Sequence, residues 1–234
     1  MVKDELVQRS PLRAFKNSIR GGLQAGELGL VASLSGIGKT SVLVQIALDR
    51  LLRGGKVIHV SFTRHTDYVL VWYEDIFDEI TSKKNLENQG EVKDEIVRNR
   101  VLMRFTQEGL SIQQILNSLR ALIKDGGFNA EMVIIDGYDF STLKDDHLPA
   151  VKAFAGEMGL SFWYSCNVNG GGAHYDKRNI PLVIKNQAEL FDVIVVLEPK
   201  SDHVKLSISK DREVYNPEHQ GLKLDPRTLL ILEN

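Results

Sequence analysis

Short apolar runs alternate with longer segments of helical spacing along most of this chain. Residues 28–32 form the first run, and a helix-like pattern starts at Ser41. Residues 57–62 are β-branched and follow Gly54-Gly55, which stop the helix; they predict a buried strand. Thr66 is placed to cap a helix running to about Ile80. Residues 81–100 are rich in Lys, Glu, Asn and Asp, the pattern of a solvated loop and an exposed helix. A short strand follows at 101–105. Ser111 and Gln114 form a capping box, after which Ile112, Ile115, Leu116, Leu119 and Leu122 recur on one helix face, ended by Gly126-Gly127. Residues 132–135 are a fully apolar strand that stops at Asp136. A helix over 148–158, a strand over 161–166, a loop over 167–180, a helix near 182–190 and a strand over 193–197 complete the alternation. The tail changes character, and 203–209, 222–224 and 229–232 read as antiparallel strands. The pattern predicts one α/β domain over 1–234: a mostly parallel sheet flanked by helices, with a C-terminal antiparallel β extension.

Composition narrows the function classes. The 234 residues suffice for one large α/β core. Lys and Arg total 29 against 31 Asp and Glu, a net charge of −2, which is not the balance of a protein that coats nucleic acid. Cys166 is the single cysteine, so neither a disulfide framework nor a cysteine metal cluster is expected. The six histidines show no close pair with zinc-ligand spacing. Neither a signal core nor a membrane-length apolar run is present, so a cytoplasmic protein with no membrane partner is expected.

The richest chemistry lies at Ser33-Leu34-Ser35-Gly36-Ile37-Gly38-Lys39-Thr40, between the first strand and the helix that starts at Ser41. Backbone N–H groups of such a loop can cradle a phosphate, and the helix dipole favours negative charge there. In the pattern G-x-x-x-x-G-K-[ST], Lys39 reaches the β- and γ-phosphates and the Thr40 hydroxyl holds Mg²⁺. Ser33 replaces the first Gly of that pattern, and Gly36 adds a flexible position. Ser33 to Ser41 are thus the candidate ATP-binding residues, with Thr40 and the strand-terminal carboxylate Asp136 as the Mg²⁺ pair.

Together with Gly21-Gly22-Leu23, Gly26-Glu27-Leu28, Val60-Ser61-Phe62, Ile135-Asp136, Lys210-Asp211-Arg212 and Asp225-Pro226-Arg227-Thr228, this loop resembles the RecA-type ATPase domain of DnaB-like replicative helicases. KaiC-like ATPases are the near alternative. The likeness runs over residues 10–232. It implies a RecA-like P-loop fold and a homo-oligomeric ring or filament with ATP at subunit interfaces, residues 1–20 packing on a neighbouring subunit. It also implies that Lys210 and Arg212 reach the neighbour's γ-phosphate, and that Asn167 stands at the γ-phosphate sensor, where the family usually has Gln. Thr63 occupies the place of the family's water-orienting Glu, and loss of such a base costs about 10² to 10⁴ in rate; His65, Asp67 and Asp139 are the imidazole and carboxylate groups that could substitute, and nothing in the sequence positions them. The loop over 167–179 matches the DNA-contacting region of ring helicases, with His174 and with Tyr175, Lys177 and Arg178 as cations and an aromatic for single-stranded DNA. The extra N-terminal domain of replicative helicases is not read in the sequence, so loader-coupled fork unwinding is not expected.

Two functions compete at this point. One is an oligomeric ATPase motor acting on nucleic acid, with Lys39, Asp136, Asn167, Lys210 and Arg212 as its catalytic set. The other is a non-motor nucleotide-binding module, a degenerate ATPase that acts through an unknown protein partner. Thr63, Asn167 and the neutral charge favour the second; Lys210, Arg212 and the full-length likeness favour the first. A metabolic kinase fits the β-rich tail less well.

Overall fold

In the computed structural model, which describes residues 12–62, 67–82, 89–168, 174–218 and 221–233, the apolar runs become the middle of one sheet. Strands β1 (Leu28–Ser33), β2 (Val57–Ser61), β3 (Arg100–Arg104), β4 (Met132–Asp136), β5 (Ser161–Asn167) and β6 (Val193–Pro199) are parallel, in the order β6-β1-β5-β4-β2-β3. Unbroken apolar runs, rather than alternating ones, suit strands covered on both faces. The tail adds β7 (Val204–Asp211), β8 (Val214–Tyr215), β9 (Leu222–Leu224) and β10 (Ile231–Glu233), joined antiparallel from β6 outwards. The fold is α/β: a mixed, mostly parallel sheet flanked by helices, with a C-terminal antiparallel part.

Strand periodicity sorts the core into two layers. Val31, Met132, Ile134, Trp163, Val193 and Val195 point to one face. There they meet α1 (Leu12–Ser18), α2 (Lys39–Leu52), α3 (Asp67–Ser82) and α4 (Gln89–Arg98). Leu30, Ala32, Val133, Ile135, Phe162, Tyr164, Ile194 and Val196 point to the other face. That face is covered by α5 (Ile112–Arg120), α6 (His147–Met158) and a 3₁₀ segment, Leu182–Leu190. The chain after β1 therefore leaves toward one face and the chain after its neighbour β5 toward the other. In open α/β sheets, ligands bind in the crevice at the carboxyl ends of strands where that divergence occurs.

Several elements differ from the sequence expectation. The N-terminal helix α1 packs on the sheet through Leu12 and Phe15, which are buried, and the Phe15 ring lies 6.0 Å from Trp163. Trp163 itself fits because it covers Gly29, where a Cβ would come within 2.5 Å of its ring. The helix expected near 182–190 is 3₁₀, beginning after Pro181, which has no N–H to enter a ladder. Helix α5 keeps its capping box but loosens into a π turn, Ala121–Asp125, before Gly126. The last strand starts two residues late because Leu229 takes a left-handed φ of 55°. The exposed stretch 81–100 contains α4, which buries Val92 and Ile96. The proposed cap Thr66 lies outside the described residues. No helix among the described residues is long and apolar enough to cross a membrane.

Candidate functional site: the β1–α2 loop and the strand ends beside it

The loop between β1 and α2 turns on two left-handed glycines, Gly36 at φ 80° and Gly38 at φ 107°. A side chain would be strained at either position. At Gly36 a Cβ would meet nothing within 4 Å, so the loop is open on that side; at Gly38 it would come within 3.3 Å of Leu224 from the tail. Gly38 is also the N-cap of α2 and offers no side-chain acceptor. The first-turn amides of a helix lack intrahelical partners, and here no side chain caps them. They and the positive end of the helix dipole face the loop, which is a setting for an anion.

Lys39, the first residue of α2, folds back over this loop. Its Nζ donates to the Leu34 carbonyl at 2.8 Å, to the Ser33 Oγ at 3.1 Å and to the Ser33 carbonyl at 3.3 Å. The substitution of the first motif glycine thus has a local use, since the Ser33 hydroxyl holds the lysine. Burial pushes the Lys39 ammonium below its ordinary value, with Cys166 and Asp136 acting in the opposite sense.

Thr40 meets the end of β4. Its Oγ1 donates to Asp136 Oδ2 at 2.9 Å, although 96 residues separate them. The meeting follows from parity: Asp136 is in phase with Met132 and Ile134, whose face α2 covers. Ser165 is in phase with Trp163 on the adjacent strand and donates to Asp136 Oδ1 at 2.6 Å. The Ser165 hydroxyl in turn accepts the Gly137 N–H at 2.8 Å. Asp136, at the end of its strand, is 3% exposed, so its carboxylate depends on these donors. Asn167, at the end of β5, is the register partner of Ser33 and is exposed beside the loop.

The tail locks the far side of α2. Ser41 Oγ and Gln45 Nε2 both donate to the Leu229 carbonyl at 2.8 Å, and Gln45 Oε1 accepts the Ile231 N–H at 2.9 Å. The turn before it is closed by Asp225, whose Oδ1 accepts the N–H groups of Arg227 and Thr228.

The two late cations have a different setting from Lys39. Lys210 is 3% exposed, and its Nζ donates to the Ala188 and Glu189 carbonyls at 3.1 and 3.3 Å, where the 3₁₀ segment ends. A cation there complements the negative end of a helical segment. Arg212 grips Glu27 with two bonds, 3.0 and 2.6 Å, and donates to the Ile19 and Gly22 carbonyls. The fold thus gives both cations partners within their own chain. Glu27 and Asp211 raise the Arg212 guanidinium against the lowering effect of burial.

Of the nucleic-acid candidates, Arg178 lies over the Tyr215 ring at 4.3 Å and pairs with Asp176 at 3.6 Å. Tyr175 is half-buried and bridges to Pro181. Lys177 is exposed. Thr63, His65 and the three glycines at 170–172 lie outside the described residues. Asp67 is exposed at the start of α3, and Asp139 caps the turn Phe140–Thr142 through Ser141. Sequence reasoning missed Ser165 and Gln45. The signal for Ser165 was its phase with Trp163 on the strand next to Asp136; Gln45 gave none for its bonds to the tail, because those partners are backbone atoms of Leu229 and Ile231.

Among the described residues no group of three His, Cys, Asp or Glu side chains converges as a protein-built metal site would require. Mg²⁺ has other needs: it keeps waters and takes one or two carboxylates together with substrate phosphates. The oxygen pair Thr40 Oγ1 and Asp136 Oδ2 beside an open, anion-favouring loop fits that donor set. Neither protein-family models nor curated proteins give a match to this sequence.

Proposed function

We propose that the chain is an ATP-binding module of the RecA-like P-loop type, resembling the ATPase domain of DnaB-like helicases. The observation that carries this reading is the Thr40–Asp136 contact at 2.9 Å, next to a loop built on Gly36 and Gly38 and crossed by Lys39. Residues Ser33 to Ser41 hold the phosphates through loop and first-turn amides. Lys39 exchanges its carbonyl partners for phosphate oxygens. Thr40 and Asp136 hold Mg²⁺, with Ser165 fixing the carboxylate. Bound Mg²⁺ supplies neutralisation of the charge that develops on transferring phosphoryl oxygens.

A binding module with slow turnover is favoured over a motor. Lys210 and Arg212 already have intramolecular partners, and Thr63 stands where a water-orienting carboxylate is expected. Self-association with ATP at the interface stays part of the proposal, because Asn167 and the open side of the loop leave room for a neighbour's groups. Calorimetry with ATP and Mg²⁺ tests the reading. Lys39→Ala should weaken binding about 10- to 100-fold, the range for a lost charge-assisted contact. Equal affinity in wild type and variant rejects it. Light scattering with and without ATP·Mg²⁺ tests assembly, and a species that stays monomeric at high concentration removes that part.

A further inference from the structure

Behind Asp136 lies a histidine that the phosphate loop leaves unused. His59, in the middle of β2, is fully buried on the same sheet face as Asp136. Its Nδ1 is 3.1 Å from the Tyr73 hydroxyl of α3, and the Arg100 guanidinium covers the Tyr73 ring at 4.0 Å. Its Nε2 has no hydrogen-bond partner among the described residues and stands 4.0 Å from Asp136 Oδ2, the oxygen to which Thr40 donates. A buried ring nitrogen without a partner is costly, and this one is aimed at a carboxylate.

Burial disfavours the imidazolium, with Asp136 acting against that and Arg100 with it. A neutral imidazole carries one N–H. A proton on Nδ1 would leave the Nε2 lone pair facing the Asp136 carboxylate in a dry site. A proton on Nε2 faces the carboxylate as a donor and lets Nδ1 accept from Tyr73. The second arrangement satisfies both nitrogens.

We propose that His59 is a positioning residue whose Nε2–H takes over Asp136 Oδ2 when the Thr40 hydroxyl turns from that carboxylate toward a bound cation. The inference rests on the Mg²⁺ reading of Thr40 and Asp136. When Thr40 turns away, Ser165 alone still donates to the buried carboxylate. Closing the 4.0 Å gap to a normal bond of about 3 Å takes a shift of about 1 Å. Tyr73 and Arg100 hold the ring from the far side, so that the shift is shared along a supported chain from β3 to β4.

Two measurements decide it. Thr40→Val removes the hydroxyl and keeps the side-chain shape, so it imitates the departure of Thr40 without any nucleotide. In protein labelled with ¹⁵N-histidine, NMR should find the Nε2–H tautomer of His59 in wild type, and in Thr40→Val a downfield, slowly exchanging Hε2. An Nδ1–H tautomer, or an Hε2 that Thr40→Val does not move, overturns the proposal. The second measurement is the gain in ATP affinity on adding Mg²⁺, taken against EDTA. His59→Phe should cut that gain about fivefold, the worth of one hydrogen bond, and leave the EDTA affinity unchanged. His59→Gln, whose amide donor reaches to a similar depth, should restore most of it. An equal gain in all three proteins, or an equal loss with and without Mg²⁺ in His59→Phe, overturns the positioning role. A wild type that binds no ATP under either condition sinks the nucleotide reading instead, and the NMR comparison then settles the His59–Asp136 contact by itself.

Discussion

The carboxyl ends of β4 and β5 present two different chemistries on their two faces. Toward α2 stand Asp136 and Ser165, joined to each other and to Thr40 by short hydrogen bonds. Toward α6 stands a set of rings: Tyr138, Phe140, Tyr164 and Phe191, with the His147 ring tilted against Tyr138 at 4.6 Å. The ring face is held by contacts between rings, and at its rim Tyr138 and His147 border a cavity shared with Gln107, Asp139, Lys144 and Asp146. The polar face is held by exchangeable hydrogen bonds, some of which end on an open loop. Cohesion and chemistry are thus carried by opposite sides of the same strands, a few ångströms apart.

The sharpest way to break this comparison is to damage the ring face. Phe191 is fully buried against Phe140 and Tyr164. Phe191→Ala should cost about 3–5 kcal/mol in urea denaturation, the range for emptying an aromatic site, with nucleotide affinity unchanged in whatever remains folded. A variant of full stability that has lost nucleotide binding would reverse the roles assigned to the two faces.

Acid should attack the ring face through His147. This side chain is buried, with Nε2 3.3 Å from the Tyr164 hydroxyl, and burial pushes its pKa down to about 4, against a weaker pull from Asp146. Below its unfolded value of about 6.5 the unfolded chain takes up a proton that the folded chain refuses. Stability is therefore full above that pH and falls toward pH 4, by about 3 kcal/mol at the limit. Denaturation midpoints should drop between about pH 6.5 and 5, before most carboxylates titrate, and His147→Phe should make that part of the profile shallower, with buried His59 supplying the remainder. An unchanged slope in the variant would mean that the group is not buried neutral.

On the polar face, Asp136→Asn should do the reverse of Phe191→Ala. The expected outcome is a loss of about tenfold in the Mg²⁺-dependent part of ATP affinity, about 1.4 kcal/mol, with a midpoint in urea close to wild type. Loss of fold without loss of Mg²⁺ dependence would place the carboxylate among the structural groups.

The smallest effect sharpens the position of the late cations. Arg212→Lys keeps the charge and loses the two-bond grip on Glu27. It should cost about 1 kcal/mol of stability, the net worth of a hydrogen bond, and leave ATP turnover per site unchanged. A collapse of turnover with stability intact would show the arginine acting on a neighbour's nucleotide after all.

Much of this arrangement was legible in the sequence. Every parallel strand sits close to an apolar run, because most positions on both faces of the central strands are buried. The loop was legible because Gly36 and Gly38 take left-handed backbone that glycine favours, and Lys39 and Thr40 follow them in a recognisable short pattern. The capping box at Ser111 and Gln114 was legible for the same reason. What escaped was long-range. The intrachain partners of Lys210 and Arg212, the Ala188 carbonyl and Glu27, are visible only once β6 and β7 pair beside β1. Ser165 and His59 look like ordinary strand residues until the sheet order brings β2, β4 and β5 side by side.

Strand parity has one further consequence, for insertions and deletions. Asp136 reaches Thr40 only because it stands an even number of positions, four and two, after Met132 and Ile134. Removing one residue from β4 would turn the carboxylate toward the aromatic rings, where a charge is at its most costly. Removing two would keep its face and shift it along the strand by about 6.6 Å, out of reach of the hydroxyl. Length variation around this sheet is therefore tolerable in the loops and helices that join the strands, and the strand leading into Asp136 has to be counted residue by residue.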